Sequence, residues 1–273
     1  MQSMPFITKL ASAARKNNSW LCIGLDPDTE LMPGVDTLEF NKAIVDATHD
    51  LVCAYKPNLA FYEASGSQGL TVLEKTLAHI PGDIPVIGDA KRGDIGNTAK
   101  AYARALFSTL GFDATTVSPY LGFDSIEPFI SYRDRGVFIL CRTSNPGAVD
   151  FQDLHCDNGA SLYETVARRA REWNIHGNIG LVVGATYPEE LKRIRSICPE
   201  MCLLIPGIGA QGGDLASAVR YGVDARREKA IINVSRQILY ASQGKDFAEA
   251  ARNTAERIRS EINSYLASGL QPQ

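Results

Sequence analysis

Pro85-Val86-Ile87-Gly88-Asp89-Ala90-Lys91-Arg92-Gly93-Asp94-Ile95 joins an apolar run to a crowded set of charges. Pro85 to Gly88 reads as a buried strand, and the segment Gly96 to Leu110 that follows has helical spacing. Positions i and i+2 share one face of a strand, so the Asp89 carboxylate and the Lys91 ammonium should project together. Asp94 falls three residues past Lys91, after a glycine, where the strand gives way to the turn before a helix. Taken alone, such a stretch could be a solvated charged loop. The pattern on either side of it decides otherwise.

The same unit recurs along the chain. Upstream, Trp20 to Gly24 and Val52 to Pro57 are apolar runs, each followed by residues at helical spacing (Phe40 to Leu51; Leu59 to His79, interrupted by Gly66 and Gly69). A short amphipathic helix, Phe6 to Asn17, precedes the first. Downstream, Ala114 to Val117, Gly136 to Cys141, Ile179 to Gly184, Cys202 to Ile205 and Ala230 to Val234 continue the series. Helical segments Phe123 to Tyr132, Ala160 to Trp173, Pro188 to Ile197, Asp214 to Tyr221 and Phe247 to Leu266 fall between and after them. The runs are continuously apolar rather than alternating, as expected of parallel strands buried on both faces. Eight β–α units in roughly 250 residues predict an α/β fold, a single (β/α)8 TIM barrel. The runner-up is a doubly wound open sheet, but no G-x-G-x-x-G opens the first unit. No linker divides the chain, so residues 1–273 are read as one domain.

In such a barrel the chemistry collects at the C-terminal ends of the strands. Those ends carry Asp26; Lys56; Asp89, Lys91 and Asp94; Ser118; Arg142 to Ser144; Thr186; Gly207 to Gly213; and Ser235 with Arg236. The opposite ends supply ordinary turns such as Pro81-Gly82-Asp83. A glycine-rich loop after strand seven and a short segment after strand eight match the recurrent phosphate cradle of these barrels. Backbone N–H groups there can face an anion, Arg236 can fork onto two phosphate oxygens, and Gln211 can add a hydrogen bond. Lys56, Asp89, Lys91 and Asp94 form an alternating set of two cations and two anions. Each charge has opposite neighbours, which keeps it ionised. A protonated lysine beside a fixed carboxylate suits delivery of a proton to a carbanion and stabilisation of the charge that precedes it.

Other function classes find little support. With 273 residues and 45% apolar content the chain can build a large core, and a net charge of -3 argues against a nucleic-acid surface. No run approaches the ~18 apolar residues of a membrane span. The N-terminus lacks a signal peptide's apolar core, so a cytoplasmic enzyme is the expectation. Cys22, Cys53, Cys141, Cys156, Cys198 and Cys202 do not pair at metal-ligand spacing and read as structural thiols. His49, His79, His155 and His176 occur in no H-x-x-x-H arrangement, so no metal site is expected. Arg226-Arg227-Glu228-Lys229 reads as a solvated face, and the connection Val149 to Gly159 either extends an interface or covers the barrel.

Asp89-x-Lys91-x-x-Asp94-Ile95 occurs with Gly24-Leu25-Asp26-Pro27, Tyr55-Lys56-Pro57-Asn58 and the run Pro206 to Gly213. Together they resemble the orotidine 5'-phosphate decarboxylases, and Thr143-Ser144-Asn145-Pro146-Gly147 is similar to their bacterial type 2 branch. The resemblance covers Trp20 to Arg236. It implies decarboxylation of orotidine 5'-phosphate to uridine 5'-phosphate, the last step of pyrimidine synthesis, without metal or organic cofactor. It also implies roles: Asp26 on a ribose hydroxyl, Lys56 on the ribose and Asp89, Asp89 against the substrate carboxylate, and Lys91 as proton donor to C6. Ser144 and Pro206 would border the pyrimidine, and Gln211 and Arg236 would hold the phosphate, next to Ser235. Asp94, Ile95 and Thr98 would reach the neighbouring site of a homodimer. Two alternatives stay open: a magnesium-dependent sugar-phosphate decarboxylase sharing the D-x-K-x-x-D core, and a silent nucleotide-binding barrel.

Overall fold

Eight strands line up where the apolar runs predict them in the computed structural model, which describes residues 4–209 and 212–268. They are β1 (Leu21–Leu25), β2 (Ala54–Pro57), β3 (Ile87–Arg92), β4 (Ala114–Val117), β5 (Gly136–Arg142), β6 (Ile179–Val183), β7 (Cys202–Ile205) and β8 (Ala230–Val234). All pair in parallel, in the order β2-β1-β8-β7-β6-β5-β4-β3. The ring closes between β2 and β3 through the parallel bridges Tyr55 to Val86 and Asn58 to Asp89. Pro57 and Pro85 flank that seam, and neither has an N–H to donate to a ladder. Helices connect the strands, giving the (β/α)8 barrel that the sequence predicts.

Two apolar layers hold this arrangement. One lies between strands and helices and includes Ile23, Tyr55, Ile139, Leu181, Ile205 and Ile232. The other fills the barrel interior with Cys22, Ala54, Ile87, Phe138, Leu204 and Ile231. The first helix, Phe6–Lys16, adds Phe6, Leu10 and Ala14 to that interior layer. Phe6 meets Phe138 edge to face at 5.7 Å, and its N–H donates to the Asp134 carbonyl. Each large apolar side chain buried there contributes about 1.5–3 kcal/mol. The helix therefore plugs the N-terminal end of the barrel and leaves the C-terminal end as the open mouth.

Local chemistry sets the boundaries that periodicity alone misplaces. The fifth unit's helix begins at Leu162, not Ala160, because Ser161 and Glu164 form a capping box. The Leu59 to His79 segment is two helices, Leu59–Glu63 and Gly66–His79, broken where Gly66 takes a left-handed φ of 59°. The helix after β3 ends in a wide turn, Ala105–Thr109, in which the Leu110 N–H reaches back to the Ala105 carbonyl. A short helix, Arg236–Leu239, follows β8 and is not foreseen. Arg226 to Lys229 form the turn before β8, at the closed end. The Asp224 carboxylate accepts from the N–H groups of Arg226 and Glu228, and both arginines are exposed. That stretch is a solvated turn.

The main difference concerns β3. It does not stop at Gly88 but runs through Asp89, Ala90 and Lys91 to Arg92. A bulge shifts its register against β4 between Gly88 and Arg92, where Arg92 pairs with Val117. Lys91 sits in that bulge with φ 48°, a left-handed conformation that a side-chain-bearing residue rarely adopts.

Candidate active site

A cavity of about 430 Å³ opens at the C-terminal mouth, a size suited to a small phosphorylated ligand. At its floor stands Asp89, buried, with one carboxylate oxygen for each lysine. Lys56 Nζ donates to Oδ2 at 2.8 Å, and Lys91 Nζ donates to Oδ1 at 2.7 Å. Burial alone would push the Asp89 carboxyl up. The ammonium groups of Lys56 and Lys91 outweigh it and hold the carboxyl well below the usual carboxylate range. Burial would likewise lower Lys56, but Asp89 and Asp26 reverse the sign and raise it.

The two lysines are not equivalent. Lys56 is 4% exposed and lies beneath the cavity, between strands. The Lys91 side chain is 48% exposed and faces the open space. A proton can leave the second without disturbing the first. The i, i+2 expectation for Asp89 and Lys91 thus holds, although the bulge rather than a regular pleat achieves it.

The other predicted residues fall into three groups. Asp26, Ser144, Pro206, Ser235 and Arg236 line the same cavity. Asp26 Oδ1 is buried and has no hydrogen-bond donor among the described residues, which leaves it able to accept from a ligand hydroxyl. Gly24 next to it is required, because a Cβ there would collide with the Ser235 hydroxyl. Arg236 is exposed and no ion pair engages it among the described residues. Gln211 lies outside the described residues. The Gly213 N–H donates to the Gly207 carbonyl at 3.0 Å and the Gly212 N–H to the Gly209 carbonyl at 2.8 Å, and Gly207 and Ile208 line the cavity.

Asp94, Ile95 and Thr98 do not line the cavity of their own chain. Asp94 Oδ1 accepts from the Ile95 N–H at 2.8 Å, Ile95 is 53% exposed, and Thr98 is exposed on the following helix, Gly96–Arg104. Within one chain the four-charge set is therefore three charges.

Several functional positions escape a reading by strand ends. Thr116, inside β4, donates to Asp89 and accepts from the Lys91 backbone. Asn233 in β8 lines the cavity with a buried Oδ1 that has no donor among the described residues. Both share the inward parity of their strands, Thr116 with Ala114 and Asn233 with Ile231, and that parity is the signal that could have found them. Tyr240 accepts from the Asp28 N–H at 2.6 Å and donates to the Asp26 carbonyl at 2.7 Å, fixing the first loop. The connection Val149 to Gly159 proves to be a clamp. Gln152 Oε1 accepts from the Thr143 N–H and its Nε2 donates to the Thr143 hydroxyl, both at 2.8 Å. Arg142, fully buried, stacks on Tyr187 at 3.8 Å and reaches Asp153 at 3.3 Å. The clamp holds the Thr143 to Asn145 loop over the cavity.

Among the described residues no three His, Cys, Asp or Glu side chains converge as metal ligands. The thiols are ordinary: burial pushes Cys22 and Cys202 up to about 12.

These features define a class, a (β/α)8-barrel enzyme with a lysine–carboxylate–lysine set at its C-terminal mouth. Known proteins narrow it. The orotidine 5'-phosphate decarboxylase / HUMPS family matches residues 19–252. The orotidine 5'-phosphate decarboxylase of Dehalococcoides mccartyi is 55% identical over 266 residues, covering 96% of this chain and 98% of that protein. The solved OMP decarboxylase of Leishmania donovani superposes with a TM-score of 0.87 at 41% identity, covering 96% of this chain and 99% of the other. The UMP synthase of the same organism gives 0.89 at 43% identity over 97% of this chain, which spans 57% of that longer protein. The chain belongs to the orotidine 5'-phosphate decarboxylase / HUMPS family.

Proposed function

We propose that this chain decarboxylates orotidine 5'-phosphate to uridine 5'-phosphate and carbon dioxide, the last step of UMP synthesis. The observation that carries the reading is the division between a buried Lys56 and a cavity-facing Lys91 on one ionised Asp89. The bond from C6 to the carboxylate breaks, its electron pair stays on C6, and carbon dioxide leaves. Lys91 then transfers an N–H proton to C6, and the neutral amine regains a proton from solvent. No conjugated carbonyl receives those electrons, so the acceleration must come from preorganised charge and from binding energy supplied by the remote phosphate. Asp26 accepts from a ribose hydroxyl, Ser144 and Pro206 border the base, and Gln211, Ser235 and Arg236 take the phosphate. Six free cysteines fit a reducing cytoplasmic setting.

The test is loss of the orotate chromophore in the near ultraviolet when purified protein and excess chelator meet orotidine 5'-phosphate. Turnover of a sugar phosphate only after magnesium is restored would move the chain to the sister branch of its family. Binding of uridine 5'-phosphate with no turnover of either substrate would make it a silent binder.

Arg236→Ala should mainly weaken binding. Losing charge-assisted hydrogen bonds to a phosphate raises KM about 10- to 100-fold while kcat changes far less. An unchanged KM would remove Arg236 from the phosphate site.

The active form is read as a homodimer in which Asp94, Ile95 and Thr98 enter the partner's site. Their outward position supports this, as do the exposed apolar side chains of Phe61 at the cavity, Tyr102 on the helix that follows Ile95, and Tyr120 and Leu121 after β4. Mixing inactive Lys91→Ala subunits with inactive Asp94→Ala subunits should then restore about a quarter of wild-type activity, since one site of each mixed dimer is intact. If Asp94 served its own chain, no mixture would recover.

A further inference from the structure

We propose that Thr116 is the positioning residue that holds the proton donor in its working conformation, an inference that rests on Lys91 as that donor. The bulge between Gly88 and Arg92 takes the Lys91 N–H out of the β3–β4 ladder. A backbone N–H taken out of its ladder and partly shielded from water needs another acceptor. It finds the Thr116 hydroxyl, at 2.9 Å. The single hydroxyl hydrogen is then directed at Asp89 Oδ1, at 2.8 Å. That same oxygen receives the Lys91 ammonium at 2.7 Å. The result is a closed circuit: Lys91 backbone to Thr116 hydroxyl, hydroxyl to carboxylate, and carboxylate back to the Lys91 side chain.

The circuit explains the backbone of Lys91. A left-handed lysine persists only where its surroundings over-determine it. Here one hydroxyl fixes the main chain and the carboxylate fixes the side-chain tip, so the ammonium is aimed before substrate arrives. Thr116 is 1% exposed, so its hydroxyl is shielded from bulk water that could substitute for either bond. Its neighbour Thr115 donates instead to the Gly88 carbonyl at 2.8 Å, on the other side of the bulge.

Thr116→Val keeps the shape and removes both bonds. With the wild type active on orotidine 5'-phosphate as the reference, kcat should fall about 10- to 100-fold, since misplacing a reacting group by an ångström costs this much. KM and the affinity for uridine 5'-phosphate should stay within about twofold, because Thr116 reaches neither the phosphate nor the ribose elements. Thr116→Ser retains the hydroxyl and should return kcat to within about threefold of wild type. Wild-type kcat in Thr116→Val overturns the inference, as does an equal loss in both variants, which would mean that the methyl group matters. A raised KM for substrate at unchanged kcat would also overturn it, because the hydroxyl would then be a substrate contact. Should Thr116→Val fail to fold, Thr116→Ser still decides: a tenfold loss there excludes the hydroxyl as the working part. An inactive wild type would instead reject the decarboxylase reading itself.

Discussion

Lys91→Ala is expected to abolish measurable turnover of orotidine 5'-phosphate while leaving the fold intact. The substitution removes two contributions at once: the proton that C6 must receive, and the positive charge that stabilises C6 while it is a carbanion. General-acid catalysis contributes typically 10²–10⁴-fold and one preorganised electrostatic partner about 10²–10³-fold, so a loss of about 10⁴-fold or more is expected. Lys56 cannot substitute. It is buried beneath the cavity, and its ammonium is committed to Asp89 Oδ2 at 2.8 Å. Stability should change little, because Lys91 is half exposed and Lys56 alone still keeps Asp89 ionised. Steady-state kinetics with a thermal melt separate the two effects. A kcat within tenfold of wild type would assign the proton to another group.

The contrast between these lysines shows what the sequence could and could not convey. Apolar runs of four to six residues, each ending in a polar group, were enough to order eight strands and to place Asp26, Lys56, Asp89, Lys91 and Arg236 at one mouth. Alternation in period two predicted that Asp89 and Lys91 would meet. It could not predict the bulge, because a register shift depends on what the neighbouring strand offers. Thr116, some 25 residues away in sequence, supplies the acceptor. Nor could it separate Lys56 from Lys91 by exposure, since both follow apolar runs. Each is the penultimate residue of its strand, but Lys56 continues the regular ladder of β2 whereas Lys91 sits in the bulge of β3 with a left-handed φ. The clamp formed by Gln152 was illegible for a related reason. A connection rich in turn residues declares its length but not which of its side chains turns inward. Conversely, Asp94 looked like a member of the charge set because it is near Lys91 in sequence, and the turn carries it away.

Asp89→Asn should be the most destabilising single change at the site. The replacement is nearly isosteric but cannot answer the Lys56 ammonium, which is raised above its ordinary range chiefly against its own burial by Asp89 and then by Asp26. Breaking a buried pair by removing one partner costs about 3–5 kcal/mol, because the other charge remains buried. The location sharpens the effect. The pair spans β2 and β3, the one seam of the barrel joined by isolated bridges rather than a full ladder. The pH dependence carries a sign that distinguishes this cause from loose packing. In the wild type, Asp89 is depressed, so its contribution is complete above the unfolded carboxyl value of about 3.9 and disappears only in stronger acid. Lys56 is raised, so its contribution is complete below about 10.4 and disappears as pH rises through the still higher folded value. The wild type should therefore hold a plateau across neutral pH and weaken in strong alkali. In Asp89→Asn the burial of Lys56 prevails, the folded lysine releases its proton more readily than the unfolded one, and stability should rise as pH rises toward 10. Urea denaturation at neutral and alkaline pH reads this directly: a deficit of about 3–5 kcal/mol near pH 7 that narrows with added base. A small deficit that does not vary with pH would mean that water screens Lys56, and the charge set would then owe its strength to exposed ions rather than to burial.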